Sequence, residues 1–258
     1  MTAKIQKILS DLGYGSRRFI ECMIKCGKIS INGEKAIIGQ YLNKKNPGEI
    51  LIDKKKIIVK RNKNLPKVLI YNNKPIGEVC TRDDFQKRLT VFDKLPKLNL
   101  NRWVSVGRLD INTKGLLLFT NDGTLANKLM HPRSQIEREY NIRIFGEMNK
   151  NKINILRKGV KIIHGYVSFK EIVPLYDKKE GKNKWFKGIL CEGKNREIRL
   201  MFKSIQCQVN QLIRVRYGNI ILPKNLKEGQ WMMLNSIFLK KLYNLINFDK
   251  EIINKKKN

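Results

Sequence analysis

The chain has 258 residues, 41% of them hydrophobic, enough for a buried core in one domain or two and inconsistent with a disordered polypeptide. Fifty-four Lys and Arg against 22 Asp and Glu leave a net charge of +32, a field that concentrates polyanions and favours RNA or DNA over a small substrate. Five dispersed cysteines with no Cys-x-x-Cys pair, only two histidines, no apolar run of membrane-spanning length and no signal-peptide pattern argue against a zinc site and a membrane protein, and for a reducing, cytoplasmic location.

The first sixty residues read as two short helices and then strands. Ile5, Ile8, Leu9 and Leu12 mark one helical face that ends at Gly13. Ser16 is placed to cap a second helix with Phe19, Ile20, Met23 and Ile24 inward and Gly27 beyond its end. Cys22 and Cys26, four apart on that helix, read as small buried hydrophobes. Arg17 and Arg18 fall in its first turn, where the helix dipole disfavours cations and a bound phosphate would remove the penalty. Strands follow at Ile29 and Ile31, at Ile50-Leu51-Ile52 and at Ile57-Ile58-Val59, with a tight turn at Asn32-Gly33.

Residues Lys60 to Pro66 are polar, charged and end in proline, the composition of a linker. From Lys67 the pattern is strand-rich with interspersed helices, which predicts an α+β domain with a mostly antiparallel sheet. After Leu239 helical residues are expected to give way to a solvated tail ending in Lys255-Lys256-Lys257. The expected divisions are therefore a small domain with the start of a linker over 1–62, a larger domain over 67–245 and a basic tail over 246–258.

Among the nine aspartates, Asp110 alone lies inside a strand-turn-strand core signal, between Trp103-Val104-Ser105-Val106 and Leu116-Leu117-Leu118-Phe119. A carboxylate that close to a core is costly unless paired, and in an extended backbone Arg108 would share its side. One isolated acid argues against two-metal chemistry, and the chain has no phosphate loop for nucleotide hydrolysis. What remains is a lone carboxylate acting as nucleophile or base, or a structural ion pair at a strand end.

Tyr140 alternates with Ile142 and Ile144 and so shares their strand face, which on pattern alone is core packing. Asn195 is placed to cap a helix with Ile198, Met201, Phe202 and Ile205 inward, leaving Arg196, Arg199 and Lys203 on another stripe. Two arginines in a first turn again call for an anion, with a solvated basic face as the alternative. In Leu212-Ile213-Arg214-Val215-Arg216-Tyr217-Gly218 the alternation predicts Arg214 and Arg216 together on the non-core face, where they contact RNA backbone or stay exposed. Lysine, isoleucine and asparagine all have A/T-rich codons, so arginine positions are the better guide to function.

Gly107-Arg108-Leu109-Asp110, the run from Leu117 through Asp122-Gly123 to His131-Pro132, Glu137-Arg138-Glu139-Tyr140 and Asn195-Arg196-Glu197-Ile198-Arg199 together resemble pseudouridine synthases, in the branch that modifies ribosomal RNA. The resemblance covers nearly the whole chain. It implies that Asp110 is the catalytic aspartate, that Tyr140 stacks on the target base and assists proton removal, that Arg199 pairs with Asp110, and that Arg196 sits near the substrate phosphate, with Arg108 also at the substrate. The first segment resembles the S-four RNA-binding domain, whose second helix and following basic turn face RNA. That implies RNA contact for Arg17 and Arg18.

The resemblance further implies an isomerase that needs no cofactor and no metal, with ribosomal RNA, as such or in a large-subunit precursor particle, as partner to a monomer. The region Lys74 to Pro96 is most like a large-subunit member of the branch, although Phe85, Lys87 and Leu89 stand where the family usually has Pro, Gly and Pro, and Gln206 replaces a usual glycine. The same chemistry on small-subunit RNA, or a non-catalytic ribosome-assembly protein with this fold, are the alternatives.

Overall fold

A computed structural model describes residues 2–43, 46–57, 69–98, 102–175 and 183–255. The expected linker Lys60–Pro66 and the last residues of the expected tail, 256–258, lie outside these. The chain divides into two compact units, one of Met1–Lys67 with Pro96–Val104 and Asn121–Gly123, the other of the remainder.

In the first unit, β1 (Thr2–Lys4) leads directly into α1 (Ile5–Asp11), and α2 (Arg17–Lys25) follows. Ser16 caps α2 as expected, its hydroxyl accepting from Phe19 N at 3.0 Å. Strands β2 (Ile29–Ile31), β3 (Glu34–Lys35), β4 (Tyr41–Asn43), β5 (Ile50–Ile52) and β6 (Lys55–Ile57) complete the unit's regular structure. A four-stranded sheet runs β3-β2-β5-β6, and β1 pairs separately with β4. The Asn32-Gly33 turn between β2 and β3 has positive φ at both residues, as a tight hairpin requires.

Ile5, Leu9, Ile20, Ile29 and Ile50 are fully buried and form this unit's core. Two expectations for α2 fail. Phe19 is 55% exposed, its ring folded over Gly15, because the buried stripe is only Ile20 and Ile24 with Met23 at its edge. Cys22 and Cys26 are exposed, since each lies two residues beyond a buried isoleucine and so on the far side of the helix.

The second unit contains β7 (Leu69–Lys74), most of β8 (Val104–Val106), β9 (Lys114–Thr120), most of α3 (Gly123–Met130), β10 (Arg138–Phe145), α4 (Lys150–Lys158), β11 (Val160–Ile162), β12 (Gly165–Val167), β13 (Glu171–Leu175) and β14 (Asn183–Leu190). It ends with α5 (Glu197–Ser204), β15 (Gln208–Tyr217), β16 (Ile220–Ile221), β17 (Trp231–Met233) and α6 (Ser236–Lys255). Its large sheet runs β13-β14-β10-β15-β9-β7-β17, antiparallel at every step except β15 against β9. The class is α+β with a mixed, mostly antiparallel sheet.

Two features of this sheet matter for function. On β10, burial alternates so that Arg138, Tyr140, Ile142 and Ile144 face inward, which is the face predicted for Tyr140. Under it pack Ile198, Met201, Phe202 and Ile205 from α5 and its end, again as the spacing predicts. The tail is a correction. α6 continues to Lys255, so the expected boundary at 245/246 falls inside a helix whose Leu239, Leu242 and Ile246 repeat at helical spacing, with Leu242 and Ile246 buried.

At the parallel junction the backbones of β9 and β15 meet without room for a side chain. Gly115 is paired with Arg214 and has φ +106, and a Cβ there would lie 2.3 Å from Arg214 O and 2.8 Å from Arg214 N. Gly115→Ala is therefore expected to destabilise the protein by about 3 kcal/mol or more through clash and backbone strain. A urea denaturation midpoint equal to wild type would contradict this close approach.

Candidate active site

Residues of β8, β10, β14 and β15, the end of α3 and the start of α5 surround a cavity of about 960 Å³, lined among others by Arg108, Asp110, Tyr140, Arg196, Arg199 and Arg214. Every lining residue belongs to the second unit. Six of the predicted residues, Asp110, Tyr140, Arg199, Arg108, Arg196 and Arg214, thus meet in one place although Arg108 and Arg214 are 106 positions apart.

Asp110 sits in a turn rather than an extended segment. Gly107 enters it at φ +79, and Thr113 N donates to Asp110 O at 3.0 Å. The turn is anchored from outside: Gly77 N donates to Ile111 O at 2.9 Å, and Leu109 N points at Cys80 Sγ at 3.4 Å. The main anchor is Lys74, fully buried at the end of β7, whose ammonium donates to Pro75 O at 2.7 Å, Thr113 O at 2.9 Å and Ile111 O at 3.3 Å. Burial lowers the Lys74 pKa, opposed by the charges of Cys80, Glu78 and Asp110. Asp110 is half-buried, while Arg108, on the same turn, is exposed.

Arg199, in the first turn of α5, donates Nη1 to Val209 O at 2.8 Å and Nη2 to Asn112 O at 3.0 Å. It braces the Asp110 turn from the side opposite in sequence to Lys74. Among the described residues no ion pair joins Arg199 to Asp110, but the two interact electrostatically: burial lowers the Arg199 pKa and the Asp110 charge opposes that shift. Asn195 does not cap α5. Arg196 occupies the N-cap position in a left-handed conformation, φ +49, and its side chain is exposed. Lys194 N, before the helix, donates to Glu197 Oε2 at 3.1 Å, which ties the first residue of α5 back to the preceding loop.

Arg214 and Arg216 correct the alternation argument. β10 pairs Tyr140 with Arg214 but Glu139 with Arg216, so Val215 is an extra residue in a β-bulge. Tyr140 and Glu139 face opposite sides of the sheet, and their partners follow them. Arg214 is 2% exposed, donates Nε to Leu116 O at 2.8 Å and lies 5.3 Å from the Tyr217 ring centre. Arg216 stands outside the cavity, engaged by Glu139 at 2.9 Å and Glu137 at 3.1 Å. Arg17 and Arg18 are exposed on α2 in the first unit.

Three cavity residues were not singled out from sequence as site candidates: Arg138, Tyr217 and Glu197. Arg138 donates to Tyr217 OH at 3.2 Å and to Cys191 O at 3.3 Å, and the Tyr217 hydroxyl donates to Leu129 O at 2.9 Å. An inward arginine on a strand was the signal available for the first. Arg214 Nη2 and Arg199 Nε are buried without a partner among the described residues, a cost that an anionic substrate would offset. No group of three or more potential metal ligands occurs among the described residues.

Glu197 is 4% exposed, and burial, reinforced by the Glu192 charge, pushes its pKa up to about 7 against the opposing Lys194 backbone bond and the Lys194 and Arg138 charges. Its folded pKa exceeds the unfolded value of 4.5, so the native state holds the proton more tightly. The resulting stability is present below pH about 4.5 and is lost as pH rises through about 7. Glu197→Gln should therefore gain stability relative to wild type between pH 5 and pH 8, by up to about 3 kcal/mol. Denaturation curves at the two pH values that show an equal difference would contradict a buried, titrating Glu197.

The sheet and the cavity at its strand ends define the fold, and the comparisons give its family. The sequence model for RNA pseudouridylate synthase matches residues 68–204, and the chain belongs to that family. It is 60% identical over 247 residues to the ribosomal large subunit pseudouridine synthase B of Buchnera aphidicola subsp. Acyrthosiphon pisum, covering 96% of this chain and 98% of that one. It is 45% identical over 256 residues to the protein of the same name from Yersinia pestis, covering 99% and 80%. A crystal structure of a pseudouridylate synthase superposes with a TM-score of 0.63 at 21% identity, over 93% of this chain and 99% of the other, which shows the shared fold. No described helix is long and apolar enough to cross a membrane.

Proposed function

We propose that the chain isomerises one uridine of large-subunit ribosomal RNA to pseudouridine in the Asp110 cavity. The observation that carries this is the convergence of Asp110, Tyr140 and Arg199 on one cavity, in a chain 60% identical to a protein with that name. The reaction breaks the bond between ribose C1′ and uracil N1, forms one between C1′ and C5, removes the proton from C5 and leaves one on N1, so that the product is an isomer of the substrate. It exchanges neither electrons nor phosphate, so one carboxylate as nucleophile or base, with no cofactor, accounts for it.

Asp110 takes that role. Tyr140, 8% exposed on the inner face of β10, offers a ring for the uracil to stack on. Arg199 orients the Asp110 turn through Asn112 O and supplies positive charge beside the acid. Arg108 and Arg196, exposed at the rim, and Arg214, buried in the wall, serve the nucleotide's phosphates and the anionic charge of the complex. Extracting a base costs a few kcal/mol, least in a loop, and stacking with phosphate contacts offsets it.

The helix pair and small sheet of the first unit support an S-four-type RNA-binding role, with Arg17 and Arg18 at the α2 start offered to phosphate. In this reading a cytoplasmic monomer finds its uridine in ribosomal RNA, free or in a large-subunit precursor particle. Purified protein incubated with unmodified transcripts of both ribosomal RNAs tests the reading. Wild type should convert one large-subunit uridine, and Asp110→Asn should lower turnover by roughly a thousandfold or more while RNA affinity stays within about twofold. Residual turnover within tenfold of wild type would remove Asp110 from the chemistry, modification of the small-subunit transcript would move the target, and no modification of either would favour a binding protein.

A further inference from the structure

One part of the cavity rim is built to present an aromatic ring that nothing inside the protein uses. The loop from Cys80 to Leu89 is closed at its base by Val79 N donating to Leu89 O and Val91 N donating to Val79 O, both at 3.0 Å. Within it Lys87 N donates to Asp84 O at 3.0 Å, so that Phe85 and Gln86 form the tip of a turn. Asp84 then grips Arg88 three times: Oδ1 accepts from Nη2 at 2.6 Å, and Oδ2 accepts from Nε at 3.0 Å and from the backbone N at 2.8 Å. Lys87 holds φ +52, a left-handed turn position.

Phe85, at the tip, is 103% exposed, the highest value of any large hydrophobic residue among those described. Its ring adds nothing to the core, yet the loop that carries it is pinned at both ends. Thr81, Asp84 and Arg88 of this loop line the same cavity as Asp110 and Tyr140. Lys87 beside the tip is exposed, while Arg88 is paired with Asp84 and Arg82 lies over the Phe92 ring at 4.2 Å. An exposed aromatic ring beside a cation, on a loop whose residues line the cavity, is an arrangement that holds unstacked bases.

We propose that Phe85 stacks on an RNA base next to the target nucleotide and acts as a specificity-determining residue of this enzyme. When the target base leaves its stack, its neighbours lose a partner, and the Phe85 ring supplies one. Because the loop is already ordered by the Asp84–Arg88 contacts, little conformational entropy is lost on contact. The exposed Lys87 ammonium beside it adds attraction for a phosphate of the same strand.

The inference rests on the RNA-modifying reading, and the test separates the two. Binding of the full chain to a transcript of large-subunit ribosomal RNA is measured across salt concentrations for wild type, Phe85→Ala and Phe85→Trp, with melting midpoints and turnover on the same RNA. Stacking carries no net charge, so Phe85→Ala should lose about five- to hundredfold in affinity with an unchanged salt slope, and Phe85→Trp should stay within about twofold of wild type. The melting midpoints should coincide, since the ring is fully exposed. Wild-type affinity in Phe85→Ala, a changed salt slope, equal loss in Phe85→Trp, or a defect seen only on assembled particles and not on bare RNA would each overturn the proposal. Failure of wild type to make pseudouridine would count against the enzymatic reading, while the binding comparison would still decide whether Phe85 meets RNA.

Discussion

A single buried ammonium organises the active site. Lys74 closes β7 at the point where that strand faces Gly115 of β9, and its three donors are used on Pro75 O, Ile111 O and Thr113 O. Burying a lysine costs several kcal/mol unless its charge is solvated by other groups. Here two of the three solvating carbonyls, Ile111 O and Thr113 O, belong to the turn that carries Asp110, so the cost of burial is fully offset only when that turn has one conformation. Arg199 repeats the device from α5 by binding Asn112 O. The turn is thereby placed by contacts to its backbone carbonyls rather than to the Asp110 carboxylate.

The rest of the second unit serves to bring these anchors together. Parallel pairing of β9 with β15 sets the Asp110 turn beside Arg214, and it is possible only because Gly115 has no side chain. The bulge at Val215 then sorts two arginines that are close in sequence. Arg214 goes into the cavity wall, and Arg216 goes to the opposite face, where Glu137 and Glu139 neutralise it. Without the bulge both would lie on one side, and either the cavity or the acid pair would lack its cation.

Much of this was legible along the chain because it depends on local pattern. The alternation around Tyr140 assigned its face, the apolar spacing after Arg196 assigned the inner side of α5, and Ser16 marked a helix start. Readings failed where a distant contact overrode the pattern. Strict alternation placed Arg214 and Arg216 on one outer face and so mispredicted Arg214, because a bulge depends on the partner strand. Asn195 resembles a cap, but the helix starts one residue later, with Arg196 at the N-cap position in a left-handed conformation and no side-chain cap bond. Lys74 gave no sign of burial, since a lysine at a strand end is ordinarily exposed and its acceptors come from residues 37 and 39 positions away. Pairing of β1 with β4, and of β9 with β15, is likewise a matter of topology that composition does not encode.

These contacts converge on one claim, that the turn held by Lys74 and Arg199 exists to deliver a carboxylate to a uridine of the large-subunit RNA. Its most direct measurement is a pseudouridine map of both ribosomal RNAs from cells that lack this protein, complemented with either wild type or Asp110→Asn. The account predicts that one large-subunit site disappears in the deletion, returns with wild type and stays absent with the variant. An unchanged map in the deletion, or full restoration by Asp110→Asn, would contradict it.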